Sequence, residues 1–256
     1  MYRAFNLTGC NWEKVSGGTG DAIFKNNSDI VRKSLEPFLN GEIVDGTKLA
    51  NFWFPAIEAN VFISHSHRDA EHAIKLAGWL KENLGLDCFI DSCVWGHAAD
   101  LLKIIDIDQC KIPNSENFDY DKRNGSTSHV HMMFSNALNV MIDSTECVIF
   151  IKTDNSITST KSIEKTQSPW LFFELGTMRI IRRKKPSRKV VRRENFSRDI
   201  VKASEFLRVE YEVPLSELTP LSGTQLDDWN QAYRARPDAG KHSLDFLYDI
   251  VTTVET

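Results

Sequence analysis

No apolar run in this chain approaches the roughly 20 residues that a membrane-spanning helix needs. The opening, MYRAFNLTGCNWEK, lacks the basic-then-apolar order of a secretory signal. A cytoplasmic location is therefore expected. Basic excess is also missing. The formal net charge is −4, so nothing draws the chain as a whole to nucleic acid. Cysteines number five (Cys10, Cys88, Cys93, Cys110 and Cys147) and form no CxxC pair, which argues against a disulfide framework or a zinc knuckle. There is no Walker A loop and no GxGxxG. SGGTGD (Ser16 to Asp21) is glycine-rich, but it follows no strand signal and no Lys-Ser/Thr comes after it, so it reads as a turn. Ser64 lacks the G-x-S-x-G elbow of a serine hydrolase. The two HxH pairs, His65/His67 and His129/His131, have no further ligands at metal-binding spacing. No metal and no resident cofactor are expected.

What the chain does have is ample core material. It has 256 residues, 41% hydrophobic and 26% charged, enough for one large domain. NVFIS (60–64), LDCFID (86–91) and ECVIFI (146–151) are short apolar runs that predict buried strands. Between the first two lies AEHAIKLAGWLKENLG. Its Ala73, Leu76, Ala77, Leu80 and Leu84 keep the helical period, Asp69 is placed to cap it, and Gly85 to end it. Strand, amphipathic helix and strand make the unit of a parallel sheet. HVHMMFSNALNVMID (129–143) predicts a second helix and SLDFLYDIVTTV (243–254) a closing one, with a strand in EFLRVEYEVPL (205–215). Residues 1–58 read as an extension packing on the core. It includes a short helix over 28–41, and the aromatics Phe52, Trp53 and Phe54 turn toward the main domain. Residues 92–128 are polar and irregular, with one short helix at about 98–105, and 153–167 form another polar loop. Past Arg179 the chain is basic, which reads as a solvated helix end because no aromatics interleave for stacking on bases.

An open parallel sheet binds ligands beyond the carboxyl ends of its strands. The three strand ends run into HSHRD, SCVWG and TDNS, the polar stretches of the chain. The helix SPWLFFELGTMRIIRR, with Ser168 as N-cap and Pro169 at its first position, starts on that same side. It carries one acid in an apolar setting, Glu174, four residues after Trp170. That spacing puts the two on one helix surface, with Trp170 beside the pocket mouth. Partial desolvation would raise the Glu174 pKa, the mark of a candidate functional acid. An ion pair with Arg179 or Arg182 is the open structural alternative.

VFISHSHRD at a first strand, FID at a second with Trp95-Gly96 in its loop, and SPW followed by Glu174-Leu175 resemble the Toll/interleukin-1 receptor (TIR) domain. The resemblance runs from Asn60 to about Arg182, and the closing strand and helix carry it to about residue 250, making 59–256 the TIR domain. It implies a flavodoxin-like α/β fold: a five-stranded parallel sheet with helices on both faces. It also implies an activity, cleavage of the nicotinamide–ribose bond of NAD⁺ as substrate, giving ADP-ribose, a cyclic form or a conjugate. Position by position, Glu174 matches the catalytic glutamate and Trp170 the aromatic of the same pocket. Ser64, His65 and Arg68 match the loop that helps hold the nucleotide. Asp91 and Trp95 belong to the start of the BB loop, through which such domains self-associate. The long 97–128 insertion departs from the family pattern. The type resembled is a bacterial antiviral-defence protein, which implies a phage-derived trigger and a downstream effector. A non-catalytic TIR scaffold is the alternative of a different class. A nucleoside deoxyribosyltransferase-like enzyme, acting on deoxynucleosides through a similar glutamate, is a third.

Overall fold

A computed structural model describes residues 1–15, 44–94, 98–160, 163–186, 210–235 and 240–254. The glycine-rich turn at 16–21, the helix expected over 28–41, Trp95 and the basic stretch at 187–209 lie outside the described residues.

Five strands build the main sheet: β1 (Arg3–Thr8), β2 (Val61–Ser64), β3 (Cys88–Phe89), β4 (Cys147–Ile151) and β8 (Thr219–Ser222). Their spatial order is β3-β2-β4-β1-β8, and every pairing is parallel. All residues of β2 and β4 are buried. Successive side chains point to opposite faces, so both faces of the sheet are covered. The helices are α1 (Gly46–Trp53), α2 (Ala70–Leu84), α3 (Asp91–Val94), α4 (Ala98–Ile105), α5 (Tyr120–Ser144), α6 (Pro169–Ile180), α7 (Gly223–Arg234) and α8 (Ser243–Val254). One group packs α5 with α1, α4 and α6, and another packs α7 with α2 and α8. A small antiparallel sheet joins β5 (Thr158–Thr160), β6 (Ile163–Thr166) and β7 (Tyr211–Glu212). No helix among the described residues is long and apolar enough to cross a membrane.

The helix α2 follows its sequence pattern. Ala73, Leu76, Ala77, Leu80 and Leu84 are all buried. Gly85 stops the helix in the left-handed region (φ 68°), and the next residue, Leu86, donates its N–H back to Leu80. Asp69 does not cap it; its carboxylate is engaged elsewhere. Trp53 and Phe54 are buried as expected, and Phe54 meets Phe134 of α5 edge-on at 5.3 Å between ring centroids.

Four expectations are corrected. First, the extension assigned to residues 1–58 holds a strand of the sheet itself. β1 lies between β4 and β8, with Arg3 to Leu7 in register with Cys147 to Ile151. Its partners are more than 140 residues away in sequence, and its own alternation is interrupted by Asn6. Second, the described part of 92–128 is largely helical, not irregular. Ala98–Ile105 runs into a π-helical turn (Asp106–Cys110), and α5 starts at Tyr120 because the Asp119 side chain accepts the Lys122 N–H at 3.0 Å. Buried Asp106 then accepts from Arg123 Nε (2.8 Å) and Ser126 Oγ (2.6 Å), fixing the first turns of α5. Those turns are polar because they face solvent, so they show no apolar period. Third, the polar 153–167 loop contains the β5–β6 hairpin. Fourth, the described part of 205–215 joins that small sheet as β7, and the closing strand of the main sheet is β8.

Phe5 has no exposed surface and stacks on Tyr248 of α8, with ring centroids 6.3 Å apart. Phe5→Ala is therefore expected to lower unfolding free energy by about 3–5 kcal/mol in urea titrations. A loss well below 1 kcal/mol would return β1 to the status of an appended extension.

Candidate functional site

The strand order reverses between β2 and β4. The chain leaves β2 through α2 to reach β3 on one side, then returns past β2 to β4 on the other. A crevice opens at such a switch point, beyond the carboxyl ends of the strands. Ser64 ends β2 there. Its partner across the sheet is Phe150 of β4.

Glu174 reaches this point from α6. Ser168 caps that helix by accepting the Leu171 N–H at 3.2 Å, and Pro169 occupies its first position. The cap sets the register, and Leu171, Leu175 and Met178 bury the inner face. Glu174 shares that inner side and is 3% exposed. The Ser64 hydroxyl donates to Glu174 Oε2 at 2.5 Å. Among the described residues no arginine pairs with Glu174, and neither Arg179 nor Arg182 does so. Burial pushes the Glu174 pKa well above the ordinary carboxylate value, the Asp91 carboxylate pushes it further, and the Ser64 hydrogen bond pulls it partly back.

His65 follows Ser64 and is also buried. Its Nδ1 lies 3.4 Å from the Ile63 carbonyl oxygen and its Nε2 lies 3.3 Å from Ser92 Oγ. Burial pulls the His65 pKa down, while the nearby Asp91 charge opposes this. Asp91 and Ser92 open α3, one residue beyond β3, so two strand ends and the helix α6 supply the cluster. Asp69, 1% exposed, is buried close enough to act electrostatically on His65. It accepts from Thr153 Oγ1 (2.5 Å) and Asn155 Nδ2 (2.8 Å), tying the loop after β2 to the loop after β4. A separate cleft of about 450 Å³ lies beyond the ends of β1 and β4. It is lined by Thr8, by Lys152 to Asp154 and by Ile157 to Ser159. Glu174 is not part of its lining.

The structure thus brings Ser64, His65, Asp91 and Glu174 together. It does not bring in Arg68, which is exposed on the 3-10 turn His67–Asp69. Trp170 is partly buried against α5. It meets Phe134 edge-on at 4.7 Å and His131 at 5.2 Å between ring centroids, so it packs between helices instead of standing free beside a mouth. Glu174 itself is deeper than a rim position. The sequence reading takes Asp69 as a helix cap and Ser92, Thr153 and Asn155 as members of the polar strand-end stretches, without singling them out as site residues. Ser92 carried one signal, its place directly after the strand-ending Asp91. Among the described residues, no group of three or more His, Cys, Asp or Glu side chains is placed to hold a metal ion. No protein-family model, curated protein or solved structure matches the chain.

Chemically, the arrangement is a buried carboxyl whose surroundings favour its protonated form, with a hydroxyl donor on one oxygen and a second carboxylate acting on it. A cation brought against it would favour its ionised form. The burial also has a stability consequence. The folded state holds the Glu174 proton more tightly than the unfolded chain, so stability falls as pH rises above the ordinary value of 4.5 and levels off above the raised folded value. Glu174→Gln removes that titration and keeps an acceptor for Ser64. Its melting temperature relative to the native protein is expected to climb between about pH 4 and pH 7, at about 2–4 °C per kcal/mol. A difference that stays flat with pH would mean that Glu174 is not desolvated.

Proposed function

We propose that the chain is a TIR-type, flavodoxin-like enzyme that cleaves the nicotinamide–ribose bond of NAD⁺, with Glu174 as the catalytic carboxyl. The observation that carries this reading is the Ser64–Glu174 hydrogen bond at the switch point. It holds a desolvated acid at the end of β2, where an open parallel sheet takes its ligands. The leaving nicotinamide departs neutral with the bonding electron pair, so no strong acid is needed to expel it. Positive charge builds on the ribose, as in glycoside hydrolysis. A carboxylate held out of water stabilises that charge more strongly than one in solvent. The substrate cation supplies the counter-charge that buried Glu174 lacks, and so draws it into the ionised form. The cleft beyond β1 and β4 has the volume of a small-molecule site and would take the far half of the dinucleotide.

The 3% exposure of Glu174 supports a resting form that is closed. This fits an enzyme switched on by self-association or by a phage-derived trigger, whose product depletes NAD⁺ or signals to an effector. The same burial favours a second reading, a TIR scaffold in which Ser64 and Glu174 only bolt β2 to α6. The two readings part on turnover. Glu174→Gln is expected to cut nicotinamide release from NAD⁺ by at least about 10²-fold while its circular dichroism spectrum stays native. Equal release by the variant, or none by the native protein under any assembly condition, would support the scaffold instead.

A further inference from the structure

Two hydrogen bonds in the cluster have no part in holding Glu174. His65 Nδ1 lies 3.4 Å from the Ile63 carbonyl, and His65 Nε2 lies 3.3 Å from Ser92 Oγ. A carbonyl only accepts, so Nδ1 carries the ring proton in this contact and Nε2 presents its lone pair. The Ser92 hydroxyl is then the donor to Nε2. The result is a hydroxyl held against a base whose tautomer is fixed by the backbone, which is the geometry of an activated oxygen. Nothing in the carboxylate chemistry of Glu174 requires it. Both residues are 8% exposed or less, a setting in which an idle imidazole would usually give way to an apolar side chain. Asp91 is adjacent to Ser92 and acts electrostatically on both His65 and Glu174, so the base and the acid share one neighbourhood.

Resting on the NAD⁺-cleaving reading, we propose that Ser92 and His65 form a proton relay that selects hydroxyl acceptors for the ribosyl cation. The acceptor is water or a sugar hydroxyl. As its oxygen forms the new bond to the anomeric carbon, its proton passes to Ser92 Oγ. The Ser92 proton moves at the same time to His65 Nε2. The glycosidic C–N electron pair has already left with neutral nicotinamide, so the balance is one C–N bond broken, one C–O bond formed and one proton gained by imidazole. The imidazolium stands close to the Asp91 carboxylate and later returns the proton to solvent. Ser92, which takes the acceptor's proton, is therefore a catalytic residue of the second half of the reaction and His65, which acts through it, a positioning residue, whereas Glu174 serves the first.

A pyridine acceptor separates the two halves, because its ring nitrogen attacks without a proton to lose. The native protein is incubated with NAD⁺ and 3-acetylpyridine, and the exchanged dinucleotide and ADP-ribose are quantified together. His65→Asn is expected to raise the ratio of exchange to hydrolysis about 10²-fold, and Ser92→Ala to raise it in the same direction. Both products falling together, at an unchanged ratio, would overturn the relay and leave the pair a structural one. Should His65→Asn not fold, Ser92→Ala, which removes a single oxygen, decides by the same ratio. A native protein that forms neither product, alone or assembled, overturns the nucleosidase reading itself, a result distinct from an unchanged ratio.

Discussion

One hydrogen bond joins residues 110 positions apart, from the Ser64 hydroxyl to the Glu174 carboxyl. It fastens the carboxyl end of a central strand to the inner face of a helix, at the place where the strand order turns. A buried acid with no partner would cost several kcal/mol. Here the cost is reduced by one donor and not removed, since burial and the Asp91 charge both oppose ionisation. A positive charge brought to that side chain would relieve those pressures and favour its ionised form. A hydrophobic residue at that position would carry no such desolvation cost, and the choice of an acid is the feature any account of the site must explain.

The surrounding architecture serves that constraint. The cap at Ser168 fixes where α6 begins, and hence which residue of the helix meets Ser64. Asp69 accepts from Thr153 and Asn155, so the loops after β2 and β4 are tied together. Asp106 anchors the start of α5, against whose later turns Trp170 packs. Trp170 therefore acts on the site by holding α6 in place. The strand β1 fills the sheet between β4 and β8 and carries Thr8 to the rim of the neighbouring cleft.

Much of this was legible in the residues, and the gaps have physical causes. The strands β2 and β4 are buried on both faces, so they read as unbroken apolar runs. The helix α2 announced itself by period and by Gly85. β1 did not, because RAFNLT is short, carries Asn6, and is made a strand by partners far along the chain. β8 was masked by Pro220, which a strand interior excludes but an edge strand accepts, and β8 is at the edge. The opening turns of α5 face solvent and show no apolar stripe. Glu174 was identified as the acid to watch, but its depth was not, since spacing along α6 says nothing of what the end of β2 places over it. Ser92 was passed over for the same reason: its partner His65 is 27 residues away.

The most direct measurement is a crystal structure of Glu174→Gln with NAD⁺ bound. The account predicts the nicotinamide ribose at the ends of β2 and β3, its anomeric carbon facing position 174 and the Ser92–His65 pair on the acceptor side. NAD⁺ seated wholly in the cleft of Thr8 and Lys152, with position 174 still sealed behind Ser64, would contradict it.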